Sequence, residues 1–197
     1  MKRMILSLAL SSILLAPTVM AADDVVLSEA VLEAKLSTHK AALKNFITKL
    51  KSKLMTSVSE NGPVEALSVC NQASPEITQA VSNDTGISLK RTGLKVRNPS
   101  NAPDEWELKV LQDFEQRKAA GETFNTLQYS EVVEIDDKQV LRYMKVIPVM
   151  EKCLACHGET IAAPIAEGLN QLYPNDQARG FKVGDIRGAF STQEILK

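Results

Sequence analysis

Cys153-Leu154-Ala155-Cys156-His157 sets two thiols and an imidazole at fixed offsets. Two intervening residues bring both sulfurs to one side of a helical turn, and the next residue points back between them. Thiols so placed match the two vinyl groups on one porphyrin edge, and C-x-x-C-H is the attachment pattern of c-type haem. His157 would then be the proximal iron ligand. The redox chemistry would be the cofactor's, with the polypeptide tuning it. The same residues could instead form a bare redox CxxC pair or half of a zinc site. Zinc wants further ligands, and only Cys70 and His39 remain among the three Cys and two His of the chain. A thiol–disulfide oxidoreductase would want a βαβ context around Cys153 and Cys156, which the flanking sequence does not offer.

The residues alone leave the second axial position open. Met/His ligation is common in electron-transfer cytochromes c, so Met55, Met144 and Met150 are candidates, although methionines in strand-like sequence near the motif read first as core. His39 lies among Lys40 and Lys44 and reads as a surface histidine. Cys70 is the odd thiol left once haem takes Cys153 and Cys156. It is either a small buried residue or a ligand.

The elements that must position these residues follow from periodicity. Residues 24–59 place Leu32, Leu36, Leu43, Phe46, Leu50 and Leu54 at helical spacing, with lysines on the other faces, and Asn61-Gly62-Pro63 stops the helix. Its first part could mediate homodimerisation. Pro63 opens a second helix with Cys70 near its end, and Pro75 opens a third. Residues 87–92 read as extended. Pro103 starts a helix through Trp106, Leu108, Leu111 and Phe114 that closes at Gly121. Residues 127–135 and 139–149 then read as two strands joined by Asp136-Asp137. A helix over 161–172 and a last strand over 185–192 complete an α+β chain, an antiparallel sheet covered by helices.

Met1-Lys2-Arg3, an apolar run from Met4 to Ala16, Pro17 and the small residues around Ala21 make residues 1–22 a secretory signal peptide. The run is shorter than the ~20 residues that span a bilayer. Residues 23–62 form the long N-terminal helix and 63–197 the haem domain. Cleavage would remove Lys2 and Arg3 and take the net charge from -1 to -3. A mildly acidic exported chain does not read as a nucleic-acid binder, and no later stretch of the mature chain reads as a membrane span. The periplasm is the expected location, where covalent haem attachment takes place.

Three segments carry a wider resemblance: "AVSNDTGISLKRTGLKVRNPSNAPDEWE", "VIPVMEKCLACHG" and "YPNDQARGFKVGDIRGAFS". Together they resemble the PAS-like single-haem c-type domain family, long catalogued as a domain of unknown function and including a cyanobacterial photosystem-associated haem protein. The resemblance covers residues 64–192. It implies a PAS-like antiparallel sheet with flanking helices and one covalently attached haem c. It also implies a second axial ligand from a Cys thiolate before the RTxLK segment, which corresponds to Cys70. Gly93 departs from the family, which usually has Ser there, and so puts in doubt any hydroxyl role at that position.

A thiolate stabilises ferric iron, so the resemblance implies a low-spin ferric state and a low midpoint potential. Haem propionates need cations, and Arg can hold a carboxylate with two parallel bonds. Of Lys90, Arg91, Lys95, Arg97 and Lys182, the expected partners are Arg91 and Arg97. The functional expectation is a periplasmic protein for electron transfer or redox sensing, not an enzyme, that serves a separate redox or signalling protein. The alternatives are a haem-based sensor of a diatomic gas or small ligand, and a CxxC thiol–disulfide oxidoreductase.

Overall fold

The computed structural model describes residues 28–196, so the expected signal peptide lies outside the described residues. Helix α1 (Glu29–Glu65) starts at Ser28, whose side chain accepts from the Val31 N–H. The expected stop falls in place: Gly62 adopts φ 83 and ψ 172, and the chain turns there before resuming a helical path at Pro63. A π-helical turn, Val69–Ala73, then leads into α2 (Ser74–Thr85). The expected second helix is thus a short continuation of α1 ending in a π-turn, and Cys70 lies within that turn.

Strand β1 (Ser88–Thr92) follows, then a 3-10 turn at Pro99–Asn101 and α3 (Glu105–Ala119). Asp104 accepts from the Glu107 N–H while the Glu107 carboxylate accepts from the Asp104 N–H, a reciprocal cap that fixes where α3 begins. Strands β2 (Gln128–Ile135) and β3 (Lys138–Pro148) form a hairpin. Asp136 and Asp137 take φ 50 and 58, the left-handed pair that a two-residue hairpin turn requires. A 3-10 turn at Glu151–Cys153, one turn of helix α4 (Leu154–His157), helix α5 (Ala163–Leu172) and strand β4 (Ile186–Ile195) complete the chain.

The chain has an α+β fold. Its sheet is antiparallel throughout, in the order β1-β4-β3-β2. On one face α3 packs Val110, Leu111 and Phe114 against Met144, Val146, Ile186 and Ala189. On the other, α1 and α2 pack Ala42, Leu43, Phe46 and Val81 against Leu89 and Tyr143. Helices on both sides explain why Val140 to Met144 are all buried despite strand alternation. Arg142 is admitted to this core because it reaches Asp104 at 2.6 Å and lies 4.2 Å over the Trp106 ring. The register breaks between Ile147 and Pro148, where β3 ends and the chain turns into the CxxCH segment. Among the described residues, no helix is long and apolar enough to cross a membrane.

Candidate functional site

The CxxCH segment is held from two directions. The Val149 N–H donates to Asp185 O and the Gly184 N–H donates to Val149 O, which ties the end of β3 to the loop before β4. The Phe181 N–H donates to His157 O at 3.0 Å. Between these anchors Cys153 packs beside Val149, Ala178 and Phe181, while Cys156 packs against Leu67, Ile165, Leu169 and Tyr173. Cys70, Cys153 and Cys156 are all free thiols and partly accessible. Burial pushes the Cys156 thiol up, against the pull of Arg97, and makes it a poor thiolate nucleophile.

The ring of His157 is fixed. Its Nδ1 lies 2.7 Å from the carbonyl oxygen of Ala178 and 3.2 Å from Arg187 Nε. A carbonyl can only accept, so Nδ1 carries the proton and donates to Ala178. Arg187 is therefore a charge held against the ring. Nε2 is left with the free lone pair, the form in which imidazole binds a metal. Burial, followed by the charges of Arg187 and Arg97, lowers the His157 pKa to about 3 and keeps the ring neutral.

His157 and Cys70 line one cavity of about 400 Å³, together with Arg91, Arg97, Tyr173 and Arg187. That size lies within the ~300–1,000 Å³ usual for ligand sites. Cys70 lies within the π-turn at Val69–Ala73, a local widening of the helix common at functional sites. The hydroxyl of Thr92, on the same wall, is buried and has no hydrogen-bond partner among the described residues.

Three guanidinium groups converge here, and they are not equivalent. Arg97 is buried. It donates to Cys156 O and Ala178 O and faces the buried Asp176 carboxylate at 3.2 Å. Its charge is matched, and its contacts hold the motif and the Ala178 carbonyl in place. Arg91 donates to Ser74 Oγ at 2.7 Å, and Arg187 donates to Lys95 O at 3.0 Å. Among the described residues, neither Arg91 nor Arg187 has a carboxylate partner. Burial lowers both pKa values, that of Arg187 to about 10, which leaves Arg187 charged at neutral pH.

The other sequence candidates lie elsewhere. Lys90 pairs with Glu107 at 2.8 Å, and Lys182 is an exposed residue beside Glu159. Met144 is core, while Met55 and Met150 are exposed. His39 corrects the expectation of a surface residue. It is fully buried, with Nδ1 2.8 Å from Thr192 Oγ1 and Nε2 3.3 Å from Glu194. A polar pocket on β4 accommodates it, so helical phase outweighs its lysine neighbours. The sequence reading passed over Arg187, although it lies in the third resembling segment. Its signal is an arginine at the start of a strand, next to Ile186, Gly188, Ala189 and Phe190, which are apolar or small.

The chain thus joins an α+β fold to a CxxCH turn whose His157 shares one cavity with a lone cysteine, Cys70. The Tll0287-like family model matches residues 21–193, and the chain belongs to the Tll0287-like family. Among solved structures, the crystal structure of the cyanobacterial heme-protein Tll0287 shares the fold, with a TM-score of 0.59 and 22% identity. The match covers 87% of this chain and 98% of that one. No curated protein matches the chain.

Proposed function

We propose that the chain is a periplasmic mono-haem c-type protein acting in electron transfer or redox sensing. Cys153 and Cys156 would attach the haem, and His157 and Cys70 would be its axial ligands. The observation that carries the reading is the shared cavity. It is lined both by an imidazole with its Nδ1 proton committed to Ala178 and by a free thiol, that of Cys70. This donor set suits iron porphyrin, for which imidazole and thiolate are both established ligands. The cavity also carries cations without carboxylate partners and an unpartnered Thr92 hydroxyl, which suit the charged edge of such a group.

A c-type haem supplies a one-electron iron couple whose potential follows its axial ligands. The chain's own residues do the rest. Ala178 fixes the tautomer and plane of His157. Arg97 anchors the carbonyls of Cys156 and Ala178. Arg91, which spends one donor on Ser74 and has no carboxylate partner among the described residues, is the partner for a propionate. The Tll0287-like family membership and the fold shared with a protein described as a heme-protein support the same reading. The raised pKa of Cys156 weighs against a thiol–disulfide oxidoreductase.

The test is expression with a c-type haem-attachment system, followed by a pyridine haemochrome assay. One covalent haem per chain is expected, lost when Cys153 and Cys156 are both replaced by Ala. A chain that matures without haem in that host sinks the proposal. Fractionation of the cells tests the periplasmic location.

A further inference from the structure

We propose that Arg187 is a tuning residue that raises the potential of the iron held by His157, offsetting the effect of a Cys70 thiolate. The inference rests on the haem reading above and deepens it. It starts from an unusual set of contacts. The Arg187 Nε–H points at His157 Nδ1, at 3.2 Å, although that nitrogen already donates to Ala178. Two donors face each other, so the contact is not held by a hydrogen bond of its own. Other contacts hold it. Arg187 donates to Lys95 O at 3.0 Å, its guanidinium lies 5.4 Å over the Phe181 ring, and His157 meets the same ring edge-on at 6.3 Å. Phe181 thus braces cation and imidazole side by side.

The electrostatic consequence has a definite sign. Where an axial imidazole donates to a carboxylate, it gains anionic character and becomes a stronger donor. Here the acceptor is a neutral carbonyl and the nearest charge is positive, which draws electron density away from Nε2. No carboxylate among the described residues forms an ion pair with Arg187; Asp176, already paired with Arg97 and Arg179, offsets its charge only from farther away. A fixed positive charge in a poorly solvated site acts strongly. It disfavours the ferric state, which carries one more positive charge than the ferrous. Cys70 pulls the other way. The potential would therefore be set by two opposed influences lining one cavity.

The experiment is an equilibrium redox titration of the haem-bearing protein at fixed pH and ionic strength. The variants are Arg187→Gln, Arg187→Met and Arg187→Lys, with Lys109→Gln as a control for net charge. Lys109 is an exposed residue of α3. Loss of the charge is expected to shift the ferric-to-ferrous ratio at least tenfold toward ferric, about 59 mV for one electron. Arg187→Lys should recover most of that shift, and Lys109→Gln should stay within twofold of the parent. Haem-bearing Gln or Met variants that titrate with the parent overturn the inference. So does a Lys variant that falls as far as Gln. Loss of haem from both Gln and Met while Lys keeps it also overturns the inference, because the charge is then structural. A parent without haem sinks the functional reading itself, an outcome distinct from an unmoved potential.

Discussion

Gly188 packs directly on Thr92: a side-chain carbon added to Gly188 would stand 2.1 Å from the Thr92 carbonyl oxygen. Gly188 also takes φ 151. The contact is reciprocal, since a carbon added to Gly93 would stand 2.9 Å from the Arg187 carbonyl oxygen. Two backbones touch where β1 and β4 part, and Arg187 leaves from that point toward His157. Gly93 thus suits a close approach that a side-chain carbon would crowd.

Gly188→Ala is expected to destabilise the protein by about 3 kcal/mol, because backbone and not a flexible side chain must yield. Urea unfolding measures the loss. A variant within about 0.5 kcal/mol of the parent, the usual range for surface changes, would show that the strands separate without cost.

Cys70→Ala is expected to leave covalent haem content unchanged and to alter the ferric absorption spectrum. Of the two donors that line the cavity, His157 would then remain. An unchanged spectrum would exclude Cys70 as a ligand.

Arg97→Met should cost about 3 kcal/mol, since it strips a buried carboxylate, Asp176, of one of its two arginines. Arg97→Lys should recover only part of this, because a single ammonium cannot span Asp176 and two carbonyls as the planar fork does. Chemical denaturation of the three proteins under one set of conditions decides it.

His39 makes stability depend on pH. Burial lowers its pKa, against a hydrogen bond with Glu194 that works to raise it. The unfolded chain protonates this residue below about 6.5, while the folded chain resists to lower pH. The unfolded state therefore binds more protons in that window, and stability falls as pH drops below about 6.5. The slope from His39 is at most about 1.4 kcal/mol per pH unit. Comparing urea midpoints of the parent and His39→Gln at pH 7.5 and 5.0 isolates its share. Equal pH slopes would remove His39 from the account.

The local elements were legible because their signals are local. Leucines at helical spacing announced α1, and Asp136-Asp137 announced a hairpin because short polar residues tolerate the left-handed turn that joins β2 to β3. The family resemblance likewise rests on contiguous segments. What stayed hidden depends on contacts between distant parts. The burial of His39 follows from Thr192 and Glu194, more than 150 residues away. The tautomer of His157 is set by a backbone carbonyl, which no side-chain motif can encode. Arg91 and Arg97 look equivalent in sequence and diverge only once Asp176 arrives beside Arg97. Arg187 has meaning only when the antiparallel pairing of β4 with β1 brings its end of the strand beside the CxxCH turn.

The π-turn at Val69–Ala73 makes the position of Cys70 a matter of chain length as well as residue type. Each residue of an α-helix advances the path by about 100°. Deleting one residue from this stretch would restore ordinary helix and swing the preceding side chains round by that angle relative to α2. Cys70 would leave the cavity while Ser74 kept its place. No substitution scan of a helix lacking the extra residue would recover the thiol at this spot.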